Sequence, residues 1–153
     1  MYVHTYKEAM THTSLYLQNC LFFSANALAR NITRMAEKAF KETDLAPSYA
    51  FAIMLVNEHP GLTIKELSKH LHLAHSTMVR FTDKLVYRGY VERKHDKRVV
   101  RIYPTDKARD IQKDIEKAWK QLYENYSKIL GTNQGKELTK EIFKANQKIE
   151  DLA

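Results

Sequence analysis

The sequence predicts a mainly α-helical protein with one small β-wing, and three observations lead there. Only four Gly and three Pro interrupt the 153 residues, which leaves long stretches free to be helical. Residues 62–88 hold two short apolar patterns at steps of three and four, each behind a helix-start signal, and Gly89 stops the second. Residues 90–103 then change to alternating and β-branched runs around a charged tip, as a hairpin does. Helix, turn, helix and hairpin in that order make a winged helix-turn-helix.

Residues 1–13 are polar and contain His, and they read as an arm or the start of a helix. From 14 to 42, Leu15, Leu21 or Phe22, Ala25, Leu28, Ile32, Met35 and Ala39 recur at mostly three- and four-residue steps with no Gly or Pro between them. One helix of roughly 27 residues is expected, about 40 Å long. That exceeds what a small domain needs for its own core, so part of it is expected to meet another subunit. Thr43-Asp44-Leu45-Ala46-Pro47 breaks the helix. Asp44 or Ser48 is the candidate cap of the next one, and Pro47 suits its first turn. Residues 49–57 are nearly all apolar and read as a buried helix, and His59-Pro60-Gly61 as a turn.

Thr63-Ile64-Lys65-Glu66 has the spacing of a capping box, and Ile64, Leu67, Leu71 and Leu73 follow it. A second helix starts near His75-Ser76, where a hydroxyl can accept from free N–H groups. Met78, Val79, Phe81, Thr82, Leu85 and Val86 supply its apolar face, and Gly89 suits a left-handed C-terminus. The strands are Tyr90–Arg93 and Val99–Tyr103. Pro104-Thr105 ends the second strand and caps a third long helix with Ile111, Ile115, Ala118, Trp119, Leu122, Tyr126 and Ile129 on one side, up to Gly131. The last helix, 134–152, places Leu138, Ile142, Ala145, Ile149 and Leu152 at alternating four- and three-residue steps. Such narrow stripes resemble coiled-coil seams. They are expected to pack against their copies in a homodimer. The whole chain, 1–153, then reads as a single domain: a DNA-binding lobe at 44–104 and dimerisation helices at 14–42 and 105–152.

Composition removes several classes. One cysteine, Cys20, allows no intrachain disulfide framework and suits a reducing, cytoplasmic setting. Neither a signal peptide nor an apolar run of about 18 residues is found, so no membrane span is expected. The formal charge is +7, and its distribution is uneven. Residues 61–109 hold 12 Lys+Arg against 5 Asp+Glu, while the rest of the chain balances 13 against 13. A basic surface confined to a helix-turn-helix is the electrostatic footprint of double-stranded DNA as a partner.

The second motif helix is expected to enter the major groove. With Met78, Phe81 or Thr82, and Leu85 facing inward, His75, Ser76, Thr77, Arg80 and Lys84 face outward. Arg80 suits a base, since a guanidinium donates two bonds to guanine O6 and N7. Ser76 and Thr77 suit phosphates or a thymine methyl. Lys84 and Arg88 read as solvated or as phosphate contacts. At the wing, Lys94, Asp96, Lys97 and Arg98 form the second group. Asp96 can accept from the turn backbone or hold Arg98, and Arg98 suits a minor groove. His70, His72 and His75 cluster, but no Cys or paired carboxylate completes a metal site. No catalytic constellation or phosphate loop is present, so neither an enzyme nor a cofactor is expected. Cys20 is either a small buried hydrophobe or a peroxide-sensing thiol.

Residues 62–109 resemble the winged helix of the multiple antibiotic resistance regulator (MarR) family. The likeness rests on Leu62-Thr63-Ile64-Lys65-Glu66-Leu67, His75-Ser76-Thr77-Met78-Val79-Arg80, Leu85-Val86-Tyr87-Arg88-Gly89-Tyr90-Val91-Glu92-Arg93 and Asp96-Lys97-Arg98. The order of the flanking helices is similar as well. Pro104-Thr105 stands where the family usually has Leu-Thr, and Ala108 where it often has Gly. The resemblance implies a homodimeric transcription factor, most often a repressor, that reads a palindromic site and is released by a small aromatic ligand or by thiol oxidation. It implies a ligand cleft between the dimer helices and the lobe, for which Phe22, Phe51, Met54 and Trp119 are the candidates. In the peroxide-sensing branch two tyrosines bond the thiolate, and Ser24 and Arg34 occupy those places here. The alternatives to a ligand-released repressor are a redox regulator acting through Cys20 and a non-specific architectural DNA binder. A protein-interaction module that uses the winged helix without DNA is a third reading.

Overall fold

Local hydrogen bonding, more than the apolar pattern, decides where the helices of this protein start and stop. The computed structural model describes residues 12–153. The arm expected at 1–13 lies almost wholly outside them. The chain divides into two compact units at Met35 and Ala36. Helix α1 is His12–Gln18 and α2 is Leu21–Phe40, followed by a 3-10 turn at Lys41–Thr43.

The single helix expected over 14–42 is therefore broken, and Asn19 supplies the reason. Its side-chain amide donates to Leu15 O at 2.8 Å. The backbone N–H groups of Asn19 and Cys20 bond back three residues, to Tyr16 O (3.2 Å) and Leu17 O (3.3 Å). Such i→i−3 bonds tighten and close a last turn. Cys20 O then accepts from Ser24 N at 3.0 Å and opens α2. Cys20 thus sits at a helix junction, half-buried, and not inside a helix.

In the second unit, α3 is Pro47–Glu58, β1 Leu62–Thr63, α4 Ile64–Leu71, α5 His75–Tyr87, β2 Val91–Asp96 and β3 Val99–Pro104. Pro47 occupies the first turn of α3 as expected. The cap is Ala46 with no side-chain bond, so neither Asp44 nor Ser48 caps it. Asp44 instead takes a left-handed conformation (φ 54°) after the 3-10 turn. The capping box of α4 is complete: Thr63 Oγ1 accepts from Glu66 N (3.2 Å), and Glu66 Oε2 accepts from Thr63 N (2.9 Å).

The sheet is antiparallel in the order β1-β3-β2, with Thr63 opposite Arg101 and Asp96 opposite Val99. The short β1 adds a third strand to the expected hairpin, and β2 runs on to Asp96, so the turn shrinks to Lys97-Arg98. Phe40, Ile53, Val56, Leu67, Met78, Leu85, Val91, Ile102 and Ile115 are all buried. They bind α3, α4, α5, the sheet and the following helix into one core. Full burial of each such side chain contributes about 1.5–3 kcal/mol relative to exposure.

The third long helix is also divided, into α6 (Asp106–Asp110) and α7 (Gln112–Leu130). Here the contact beside the break comes from another element. Asn57 Nδ2, on α3, donates to Ala108 O (2.9 Å) and to Gln112 Oε1 (2.8 Å). Ala108 O is the carbonyl that a continuous helix would offer to Gln112 N, and the two segments meet at Ile111, beside this contact. Helix α8 is Thr132–Leu152. Gly135 is buried against α7, where a Cβ would stand 4.0 Å from the Tyr126 ring. Burial and the neighbouring Tyr123 hydroxyl push the Tyr126 phenol above its ordinary pKa. On the outer stripe of α8, Leu138, Ile142, Ile149 and Leu152 are exposed, Leu152 at 90%.

Candidate nucleic-acid interface

Helix α5 is held by its apolar side. Met78, Thr82 and Leu85 are buried, and the Thr82 hydroxyl is satisfied by donating to Met78 O at 2.8 Å. Phe81 stacks on Tyr49 of α3, ring centroids 4.3 Å apart, and the Lys84 ammonium lies 5.4 Å from the Tyr49 ring centroid. This anchoring turns His75, Ser76, Arg80 and Lys84 out to solvent, with Thr77 half-buried. Ser76, Arg80, Lys84 and Tyr87 recur at steps of four and three, so they share one face of the helix. Tyr87, 91% exposed, was not among the expected surface residues, although that spacing points to it.

The hydroxyl cap expected at His75-Ser76 does not form. Ala74 is the N-cap, no side chain caps the helix, and Met78 N bonds back to Ala74 O at 3.0 Å. The amides of the first turn, His75 to Thr77, precede that bond and point along the axis at the exposed end.

Lys94, Asp96, Lys97 and Arg98 are all exposed on the wing. Lys97 adopts φ 57°, the left-handed geometry favoured in two-residue hairpin turns. Lys94 reaches back over the Tyr103 ring, 4.8 Å from its centroid. Asp96 bonds neither the turn backbone nor Arg98. Its carboxylate accepts from Arg101 Nε at 3.2 Å, and Arg101 Nη1 donates to Gly61 O at 3.0 Å.

The ion pairs sort the arginines. Residues 61–109 contain six: Arg80, Arg88, Arg93, Arg98, Arg101 and Arg109. Arg88, expected as solvated or phosphate-facing, pairs with Asp44 (3.1 Å). Arg93 of β2 pairs with Asp83 of α5 and ties wing to helix. Arg101 pairs with Asp96, and Arg109 with Asp106 (3.7 Å). Among the described residues Arg80 and Arg98 form no ion pair. One stands on the outer face of α5 and the other at the wing turn. A guanidinium exposed without a carboxylate keeps its full charge and all its donors for an outside anion.

The remaining expected residues fall elsewhere. His72 Nδ1 lies 2.8 Å from Glu150 Oε1 of α8, and among the described residues no three His, Cys, Asp or Glu side chains are grouped to hold a metal ion. Phe51 and Met54 are half-buried on α3, where the Phe51 ring meets Phe40 edge-on at 5.8 Å. Trp119 is 53% exposed on α7, and Phe22 is 78% exposed on α2. A groove of about 620 Å³ opens between residues 38–43 and α7. Its lining is mostly polar (Lys38, Glu42, Asp114, Lys117, Gln121 and Asn125), and Phe51, Met54 and Trp119 take no part in it. Among the described residues no helix is long and apolar enough to cross a membrane.

Known proteins carry the same architecture. The HTH-type transcriptional regulator SarZ of Staphylococcus haemolyticus (strain JCSC1435) is 25% identical over 114 residues, which cover 72% of this chain and 78% of that protein. The transcriptional repressor CouR bound to p-coumaroyl-CoA superposes with a TM-score of 0.79 at 16% identity, over 90% of this chain and 98% of that one. CouR bound to a 23-mer DNA duplex gives 0.77 at 18% identity, over 86% and 95%. The model of the MarR family matches residues 47–100, from the start of α3 to within β3. Over that winged helix, residues 47–100, this chain is similar to the MarR family.

Proposed function

We propose that this protein is a transcriptional regulator that binds double-stranded DNA sequence-specifically as a homodimer. The observation that carries the reading is the state of the six arginines in 61–109. Among the described residues four pair with carboxylates, and the two left exposed and unpaired, Arg80 and Arg98, stand on the two elements that a winged helix brings to DNA. On this reading Arg80 reads a base edge in the major groove, and Arg98 enters the flanking minor groove. His75, Ser76 and Thr77 offer free amides and hydroxyls to a phosphate, and Lys84, Lys94 and Lys97 offer charge.

The dimer is supported by the exposed stripe of α8, since an apolar seam on a terminal helix needs a partner. Two copies would present two recognition helices to a palindromic operator. The structural neighbour CouR, a repressor seen with DNA and with p-coumaroyl-CoA, supports the finer reading of a repressor released by a small ligand. The test is a binding titration of wild type and Arg80→Ala against a selected duplex and its single-base variants. Arg80→Ala is expected to lose about 1–3 kcal/mol and to stop discriminating at one base position per half-site. Equal affinity of the wild type for every duplex would favour an architectural binder instead.

A further inference from the structure

Asp96 stands two residues from Arg98, and nothing in the turn itself separates the two charges. What separates them is Arg101. β3 places Arg101 opposite Lys94 on one side and Thr63 on the other, so Asp96 is its diagonal neighbour across the ribbon. One arm of the guanidinium is fixed to Gly61 O (3.0 Å), next to the short strand that ends in the capped start of α4. Its Nε then donates to Asp96 Oδ2 (3.2 Å). The arginine is anchored to the frame of the domain and from there holds the wing carboxylate.

We propose that Arg101 is a positioning residue for DNA binding: it keeps the Asp96 carboxylate occupied so that Arg98 remains unpaired at the wing turn. This rests on the DNA-binding reading above. Without Arg101, the cations of the turn open to Asp96 are Lys97 and Arg98, and of the two a guanidinium suits a carboxylate as a forked partner. A pair between two exposed side chains is weak in water. It still competes directly with DNA, because the donors that would face the minor groove are the ones it uses. The rest of the lobe follows the same rule: Asp44, Asp83 and Asp106 each hold an arginine other than Arg80 or Arg98.

The experiment is a double-mutant cycle on DNA affinity, using a duplex recovered from a random pool with the wild-type protein and fluorescence anisotropy at one fixed salt concentration. Arg101→Gln is expected to weaken binding about tenfold, as loss of one wing contact does. Asp96→Asn should bind more tightly than wild type, having lost a carboxylate near the phosphates. In the Asp96→Asn background, and in the Arg98→Ala background, Arg101→Gln should change affinity by less than about twofold, because coupled sites are not additive. Circular dichroism of each variant confirms an intact fold. The proposal is overturned if Arg101→Gln weakens binding by the same factor in all three backgrounds, as a direct phosphate contact or general bracing would, or if it has no effect in the wild type. A wild type that selects duplexes while the cycle is additive overturns this proposal alone. A wild type that binds all duplexes alike, or none, overturns the DNA reading with it.

Discussion

Among the described residues, Arg80 and Arg98 differ from the other arginines of the lobe in having no carboxylate partner. Charge on a protein surface is available to DNA only where the fold has not already used it, so the 12 basic residues of 61–109 are not equal. Lys84, exposed on the same face as Arg80, should contribute without sequence information. Lys84→Ala is expected to weaken all duplexes alike and to reduce the slope of log K against log salt by about 1, read from titrations over a salt series. The outward face of α5 was legible in the sequence because its period is fixed by Met78, Thr82 and Leu85. The pairing of Arg88, Arg93 and Arg101 was not. Their partners lie 44, 10 and 5 residues away, and only the fold brings them together: Arg88 to Asp44 behind the 3-10 turn, Arg93 on β2 to Asp83 on α5, and Arg101 on β3 to Asp96 on β2.

Among the elements, the caps expected at Thr63 and Thr105 form, whereas those expected from Asp44 or Ser48 and from His75-Ser76 do not. Thr63 and Glu66 form the capping box that their spacing announces, and both of their bonds are local. Thr63→Ala should cost about 1 kcal/mol, seen as a lower melting temperature with DNA absent. The break at Ile111 was illegible because the contact beside it comes from Asn57, 51 residues before the carbonyl it meets. Asn57→Ala leaves Ala108 O without that donor and should cost about 1–3 kcal/mol, measured as a lower denaturation midpoint at unchanged m-value. The break at Asn19-Cys20 is local, yet apolar periodicity runs through it. An asparagine amide competing for the i−4 carbonyl is a signal that a pattern of hydrophobic steps does not contain.

For the whole molecule, the exposed seam of α8 decides what the winged helix is attached to. The stripe was readable as a seam from its four- and three-residue steps, but the sequence alone could not say whether it faced its own core. In the folded chain Leu138, Ile142, Ile149 and Leu152 are exposed. If the proposed dimer forms through this face, Ile142→Glu should shift the protein to monomer in sedimentation equilibrium, with helix content retained because the residue is not part of the monomer core. Such a monomer should lose most of its operator affinity, since each winged helix would then bind one half-site alone.

Sequence-specific binding by a dimer is tested most directly by selection of bound sequences from a random DNA pool, with wild type and Arg80→Ala in parallel. Wild type is expected to enrich a two-fold symmetric motif, and Arg80→Ala to lose preference at one position in each half of it. Recovery of unenriched, random sequence by the wild type, at low and at physiological salt alike, would contradict sequence-specific binding.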